Sequence, residues 1–183
     1  MSSSDSSGGP AAPRAGSSNK TTHGKLHHKT PSWIPEGSRF HIRIRLSPKN
    51  KSRLTDPAIA SLLLKSFLFN HERGSWHAWL VVLMPDHIHA ILSFPPAKSM
   101  SRVIGDWKKF STKTAALSWQ ENYFDHRLRN DDKYMEKAHY IRMNPVRAGL
   151  CTQTSDWPWI LEPWKIDTRV TEPAGHLGRT PPA

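Results

Sequence analysis

Two pairs of residues carry reactive groups at spacings that bring them together. His87 and His89 sit two apart in the run Trp79-Leu80-Val81-Val82-Leu83-Met84-Pro85-Asp86-His87-Ile88-His89-Ala90-Ile91-Leu92. In a strand, residues i and i+2 share a face, so both imidazoles point one way while Ile88, Ala90 and Leu92 point the other. Two imidazoles on one face can hold a single divalent cation. Two satisfied polar residues of an ordinary sheet give the same pattern. The second pair is Tyr140 and Asn144, four apart in a helical stretch. Lys133 and Lys137 fall on the same helix face, linked to them by steps of three and four. A phenol so placed can attack phosphorus while the amide oxygen one turn away coordinates a metal. The plainer reading is an aromatic packing residue and a C-terminal amide before Pro145.

Several elements must position these groups. Arg39-Phe40-His41-Ile42-Arg43-Ile44-Arg45-Leu46 alternates strictly, which predicts a strand with Phe40, Ile42, Ile44 and Leu46 on its buried side. Its polar side carries Arg43 and Arg45, suited to phosphate or simply to water. Asp56-Pro57 reads as a helix N-cap with proline in the first turn, opening an amphipathic helix over residues about 57 to 70. Strands follow at about 75 to 83 and 87 to 94, joined by the Pro85-Asp86 turn. A second helix spans about 99 to 118, where Arg102, Lys109 and Lys113 form a basic stripe, either a phosphate track or a solvated face. Residues 123 to 129 form a short fourth strand. A helix then runs from Lys133 to Asn144, where Pro145 stops it. Trp157-Pro158-Trp159 reads as an aromatic clamp folding back onto the domain.

The order strand, helix, strand, strand, helix, strand predicts an α+β fold. It is ferredoxin-like, the arrangement of RNA-recognition modules, with an antiparallel sheet and helices packed on one face. The other face would be free for nucleic acid. Residues 1–35 are rich in Ser, Gly, Pro, Lys and His, and predict a disordered basic tail. The folded domain is expected over 36–164, with a flexible C-terminal tail over 165–183.

The chain has 183 residues, 26 Lys and Arg against 15 Asp and Glu, and a net charge of +11, which favours a polyanionic partner or a basic solubilising surface. The single cysteine, Cys151, excludes an internal disulfide framework and fits a reducing cytoplasm. No apolar run approaches the roughly 20 residues of a membrane helix, and no signal-peptide core opens the chain. The expectation is a soluble cytoplasmic protein without membrane partners. Trp107, Trp119 and Tyr123 are candidates to stack on unpaired bases, with packing the better reading for Trp107 on its apolar helix face.

Together, these residues resemble a known family. Met84-Pro85-Asp86-His87-Ile88-His89 resembles the HUH motif, in which U is hydrophobic. Tyr140-Ile141-Arg142-Met143-Asn144-Pro145-Val146-Arg147-Ala148-Gly149-Leu150 resembles the Tyr-Ile-x-x-Asn-Pro-Val-x-Ala-Gly signature of REP-associated tyrosine transposases. These belong to the insertion-sequence-200-like superfamily of single-tyrosine HUH transposases. The segment from Trp119 to Arg129 and the Ser155-Asp156-Trp157-Pro158-Trp159 ending fit the same family, so the resemblance spans residues about 38 to 160. The departures are the basic Lys49-Asn50-Lys51-Ser52-Arg53 segment, a long N-terminal tail, and Ile160-Leu161 in place of serines.

The resemblance implies that His87, His89 and Asn144 bind Mg²⁺ or Mn²⁺, though imidazole suits zinc equally. It implies that Tyr140 attacks DNA, leaving a 5′-phosphotyrosine and a free 3′-hydroxyl. Lys137 is a cation that can help the phenol ionise, since a free phenol has a pKa of about 10. The implied partner is single-stranded DNA with hairpin or palindromic elements, taken by a monomer or homodimer and recognised through Arg43, Arg45, Arg102, Lys109, Lys113, Lys133 and Lys137. Two other readings compete with this DNA transposase. One is a catalytically silent hairpin-DNA-binding protein of the same fold. The other is a metal-dependent hydrolase or RNA-binding domain, which leaves the Tyr140 helix unexplained.

Overall fold

The computed structural model describes residues 37–165. The expected N-terminal tail lies outside them, as does the C-terminal tail apart from Lys165. Strand β1 (Arg39–Arg45) leads to helix α1 (Pro57–Glu72), then to the hairpin of β2 (His77–Leu83) and β3 (His87–Ser93). Helix α2 (Met100–Ala115), strand β4 (Phe124–Leu128) and helix α3 (Asp131–Arg142) follow. A short turn α4 (Asn144–Arg147) and a two-residue strand β5 (Ile160–Leu161) complete the domain.

The sheet order is β4-β1-β3-β2-β5, with every described pairing antiparallel. This is the ferredoxin-like fold the sequence predicts, extended at one edge by β5. Phe40, Ile42 and Ile44 from β1 and Ile88, Ala90 and Leu92 from β3 point to one face. There they meet Ala60, Leu63 and Phe67 of α1 and Met100, Ile104 and Trp107 of α2.

The opposite face is not left bare. Leu80 and Val82 of β2, Ile91 of β3 and Leu128 of β4 form a second buried cluster with Ala138 and Ile141 of α3. The unbroken Leu80-Val81-Val82-Leu83 run of β2 is what burial on both faces requires. So α3 covers part of the face that the alternation of β1 left available to nucleic acid.

Caps set the helix starts. The Asp56 carboxylate accepts from the backbone N–H of Ala58 at 3.1 Å, with Pro57 in the first turn. Asn130 accepts from the N–H of Lys133 at 2.9 Å, and Asp131 and Asp132 in the first turn of α3 complement the helix dipole. The C-terminal end of α3 differs from the sequence expectation. The helix ends at Arg142, Met143 keeps helical dihedrals, and Asn144 starts the new turn α4 with Pro145 near its start. Proline lacks an N–H that an opening turn does not need, so it begins a turn here rather than ending one.

The chain end straps β2. Leu83 donates its N–H to the Trp159 carbonyl at 2.9 Å, and Trp157 Nε1 donates to the Leu83 carbonyl at 3.0 Å. Trp159 packs on the α1/α2 side and Trp157 on the α3 side, so the aromatic clamp grips both faces of one edge. The Glu162 carboxylate, nearly buried, pairs with Arg142 of α3 and with Lys165. Among the described residues, no helix is long and apolar enough to cross a membrane.

Candidate active site

The histidines lie on the sheet face that α3 crosses. Three backbone bonds fix the turn before them. Met84 donates its N–H to the His87 carbonyl at 2.8 Å, Leu46 to Asp86 at 2.9 Å and Leu54 to Pro85 at 2.9 Å. The β1–β3 register then sets Arg45 opposite His87 and Arg43 opposite His89. His87 Nε2 and His89 Nε2 stand 3.1 Å apart, with the rings edge to face.

The far nitrogens are both engaged. His87 Nδ1 is 2.6 Å from Asp86 Oδ1, and Asp86 Oδ2 accepts from Arg45 Nη2 at 3.0 Å. Partial burial raises the Asp86 carboxyl, but the hydrogen bonds and charges of His87 and Arg45 outweigh it and hold the group below its usual range. His89 Nδ1 is 2.9 Å from His41 Nε2, and the two rings stack. Burial, then the charges of His87, His41, Arg43 and Lys137, push His89 down to about 3. Burial, then Lys137, Arg43 and His126, push His41 down to about 4. Both imidazoles are therefore neutral at physiological pH, the form that offers a lone pair to a cation.

The charge of Lys137 is felt by both His41 and His89, which sets this turn of α3 over the histidines. Lys137 Nζ lies 4.9 Å from the centre of the Tyr140 ring, and the Arg147 guanidinium lies 4.8 Å from it. Tyr140 is 42% exposed, open to a large substrate. Asn144 Nδ2 donates to the Tyr140 and Ile141 carbonyls at 3.1 and 3.2 Å. That bonding commits the amide nitrogen to the helix end and leaves the amide oxygen for another partner.

Arg39 anchors α3 to the sheet. Its guanidinium lies 4.2 Å from the Trp79 ring and 4.4 Å from the Tyr134 ring, and it pairs with Asp131. The helix carrying Tyr140 is thus tied down at its start by Arg39, along its length by Ala138 and Ile141, and near its end by Arg142 and Glu162.

The basic residues divide into two groups. Arg43, Arg45 and Lys137 border the histidines, and Lys133 lies on the same helix as Lys137, paired with Glu136. Arg102, Lys109 and Lys113 are exposed on α2, the helix packed on the opposite sheet face, and Asp106 pairs with the first two. They are not brought to the site. Trp107 and Tyr123 are buried, and Trp119 packs on Trp107, with its Nε1 bonded to Ser111 Oγ at 2.9 Å. These three rings belong to the core. Sequence reasoning left out His41 and Arg147. His41 was visible only as a polar residue of β1, and Arg147 lies beyond the proline read as the helix stop.

Comparison with known proteins agrees with this architecture. Residues 37–134 match the family model described as "Transposase IS200 like", a stretch that includes the histidines and ends before Tyr140. A REP-associated tyrosine transposase of Escherichia coli (strain K12) is 35% identical over 86 residues, 45% of this chain and 51% of that protein. The chain thus spans about half the length of that relative. A solved REP-associated tyrosine transposase, bound to a REP hairpin, superposes with a TM-score of 0.60 at 24% identity, covering 72% of this chain and 81% of the other. The matched stretch is more than half of the chain, and the chain belongs to the IS200-like transposase family.

Proposed function

We propose that this chain cleaves and rejoins single-stranded DNA beside a hairpin, through a 5′-phosphotyrosine on Tyr140, with Mg²⁺ or Mn²⁺ held by His87, His89 and Asn144. The observation that carries the reading is the convergence of two imidazoles, those of His87 and the neutral His89, beneath the helix that bears Tyr140. Their 3.1 Å separation suits neighbouring ligands of one octahedral ion, which stand roughly 3 Å apart when bonds are ~2.1 Å. Two imidazoles and an amide oxygen are a donor set that Mn²⁺ and Mg²⁺ accept. Support for a hairpin substrate comes from the structural relative, which is bound to one.

When bound there, the cation offsets charge that builds on the scissile phosphate. Tyr140 Oη attacks phosphorus, its proton leaves to solvent, and the Oη–P bond forms as the P–O3′ bond breaks. The released 3′ oxygen takes up a proton. Lys137 and Arg147 flank the phenol ring, where their charges can offset that of a phosphate brought to it. A later 3′-hydroxyl reverses the step, so strands rejoin without a nucleotide cofactor. Arg43, Arg45, Lys133 and Lys137 would hold phosphates near the site. Arg102, Lys109 and Lys113 would meet only DNA that reaches the α2 side.

The test is a denaturing gel of the protein with hairpin-bearing single-stranded DNA labelled 3′ of the cleavage site, with Mn²⁺. A labelled protein band is expected, absent with EDTA and with Tyr140→Phe. Cleavage that survives Tyr140→Phe would remove Tyr140 as nucleophile. Hairpin binding without a band, across varied hairpins, would identify a silent binding protein of this fold.

A further inference from the structure

The three histidines and Asp86 form a chain of four groups linked by contacts of 2.9, 3.1 and 2.6 Å. With His87 as a neutral ring, the Asp86 carboxylate, which can only accept, fixes its proton on Nδ1, and His87 Nε2 is a bare lone pair. His89 Nε2 faces that lone pair. Without a cation the contact is favourable only if His89 Nε2 carries the proton. His89 Nδ1 is then an acceptor, and His41 Nε2 must donate to it. All three rings are neutral in this arrangement, and every link has one donor and one acceptor.

A cation held by both Nε2 atoms requires the opposite assignment. His89 must give up its Nε2 proton and carry it on Nδ1. That Nδ1–H is buried and needs an acceptor, and His41 Nε2 is the atom beside it. From this we infer that His41 is a positioning residue for the cation site. It turns from donor to acceptor towards His89 when a divalent cation binds, so that His89 presents Nε2 beside that of His87. The proton moves from Nε2 to Nδ1 on each of the two rings, exchanged through solvent, and no net proton is taken up or lost. A hydrophobic residue at position 41 would strand the His89 N–H in the interior, and loss of such an outer partner typically weakens metal affinity about 10- to 100-fold. A glutamine can serve either state, because its amide offers a donor at one end and an acceptor at the other.

This inference rests on the cation site proposed above, and the experiment separates the two. Imidazole ¹⁵N spectra of the full-length protein are recorded without metal and with saturating Mg²⁺, and Mn²⁺ affinity is measured by electron paramagnetic resonance. His89 is expected as the Nε2–H tautomer without metal and the Nδ1–H tautomer with Mg²⁺, with His41 switching in step. His41→Leu should bind Mn²⁺ at least ~10-fold more weakly, and His41→Gln should stay within about threefold of wild type. Cation binding with an unchanged His89 tautomer, or His41→Leu binding as tightly as wild type, overturns the role of His41 alone. Failure of the wild type to bind Mg²⁺ or Mn²⁺ overturns the cation site and this role with it. Thermal melts check folding, and if His41→Leu is unfolded, the wild-type spectra and His41→Gln decide.

Discussion

Asn144 Nδ2 donates to the backbone carbonyl of Tyr140 at 3.1 Å, so the amide proposed as a ligand is braced by the residue proposed as the nucleophile. The bond spans the break between α3 and α4, where the helix loses a regular partner. Asn144→Ala removes this brace and the proposed donor oxygen together. Net stability should fall by only about 1 kcal/mol, the usual worth of such a bond at a partly exposed site. Mn²⁺ affinity and adduct formation should fall by about 10-fold or more. Urea denaturation and a Mn²⁺ titration of the same variant measure both effects. An affinity loss no larger than the stability loss explains would remove Asn144 from the site.

Lys137 is the cation that links the phenol to the histidines. It lies over the Tyr140 ring, and its charge also reaches His41 and His89. Lys137→Met keeps the length of the side chain and removes the charge. With the charge beside the ring gone, adduct formation should slow by about 10-fold at neutral pH. A DNA-binding titration of the same variant separates weaker phosphate binding from slower chemistry. Adduct formation at the wild-type rate would remove Lys137 from the site.

Much of this arrangement was legible in sequence, for definite reasons. The alternation of Phe40, Ile42 and Ile44 fixed which side of β1 is buried, and His87-Ile88-His89 put two imidazoles on one face, because strand periodicity is local. The partnership of His41 with His89 was not legible. It depends on β1 lying beside β3, a pairing across 48 residues. Nor was the place of Arg39 legible, since Trp79 and Tyr134, which enclose it, are far apart in sequence. The basic stripe of α2 was legible as chemistry, but its side of the sheet was not. That is set by how the crossover packs.

Arg39 should matter more for placing α3 than its ion pair implies. Asp131 is largely exposed, and such pairs contribute little. The guanidinium between two aromatic rings is better shielded, and cation–π contacts of this kind contribute about 0.5–2 kcal/mol. Arg39→Ala should therefore destabilise the protein by about 1–3 kcal/mol, whereas Asp131→Asn should cost under about 1 kcal/mol. Hydrogen exchange should quicken in α3 more than in β3, since the sheet keeps its own ladder. Equal quickening in both would mean that α3 and the sheet unfold together and that Arg39 anchors neither in particular.

The buried imidazoles also predict how stability depends on pH. His41 and His89 are pushed down to about 4 and about 3, while an imidazole in the unfolded chain titrates near ~6.5. Below ~6.5 the unfolded chain takes up protons that the folded chain refuses, so stability is full above that value and falls as pH drops towards 4 and then 3. His77, lowered by burial and by His71 and Arg39, contributes in the same direction. Each fully refused proton costs up to ~1.4 kcal/mol per pH unit. Urea midpoints for the metal-free protein at pH 7, 6 and 5 should therefore decline, and His41→Gln should decline less steeply by about one proton's worth. The carboxyl of Glu162, which burial raises but Lys165 and Arg142 hold lower still, adds its own loss only at more acidic pH. A slope identical in wild type and His41→Gln would mean that His41 already carries its proton in the folded state. The hydrogen-bond chain to Asp86 would then have to begin with a charged ring.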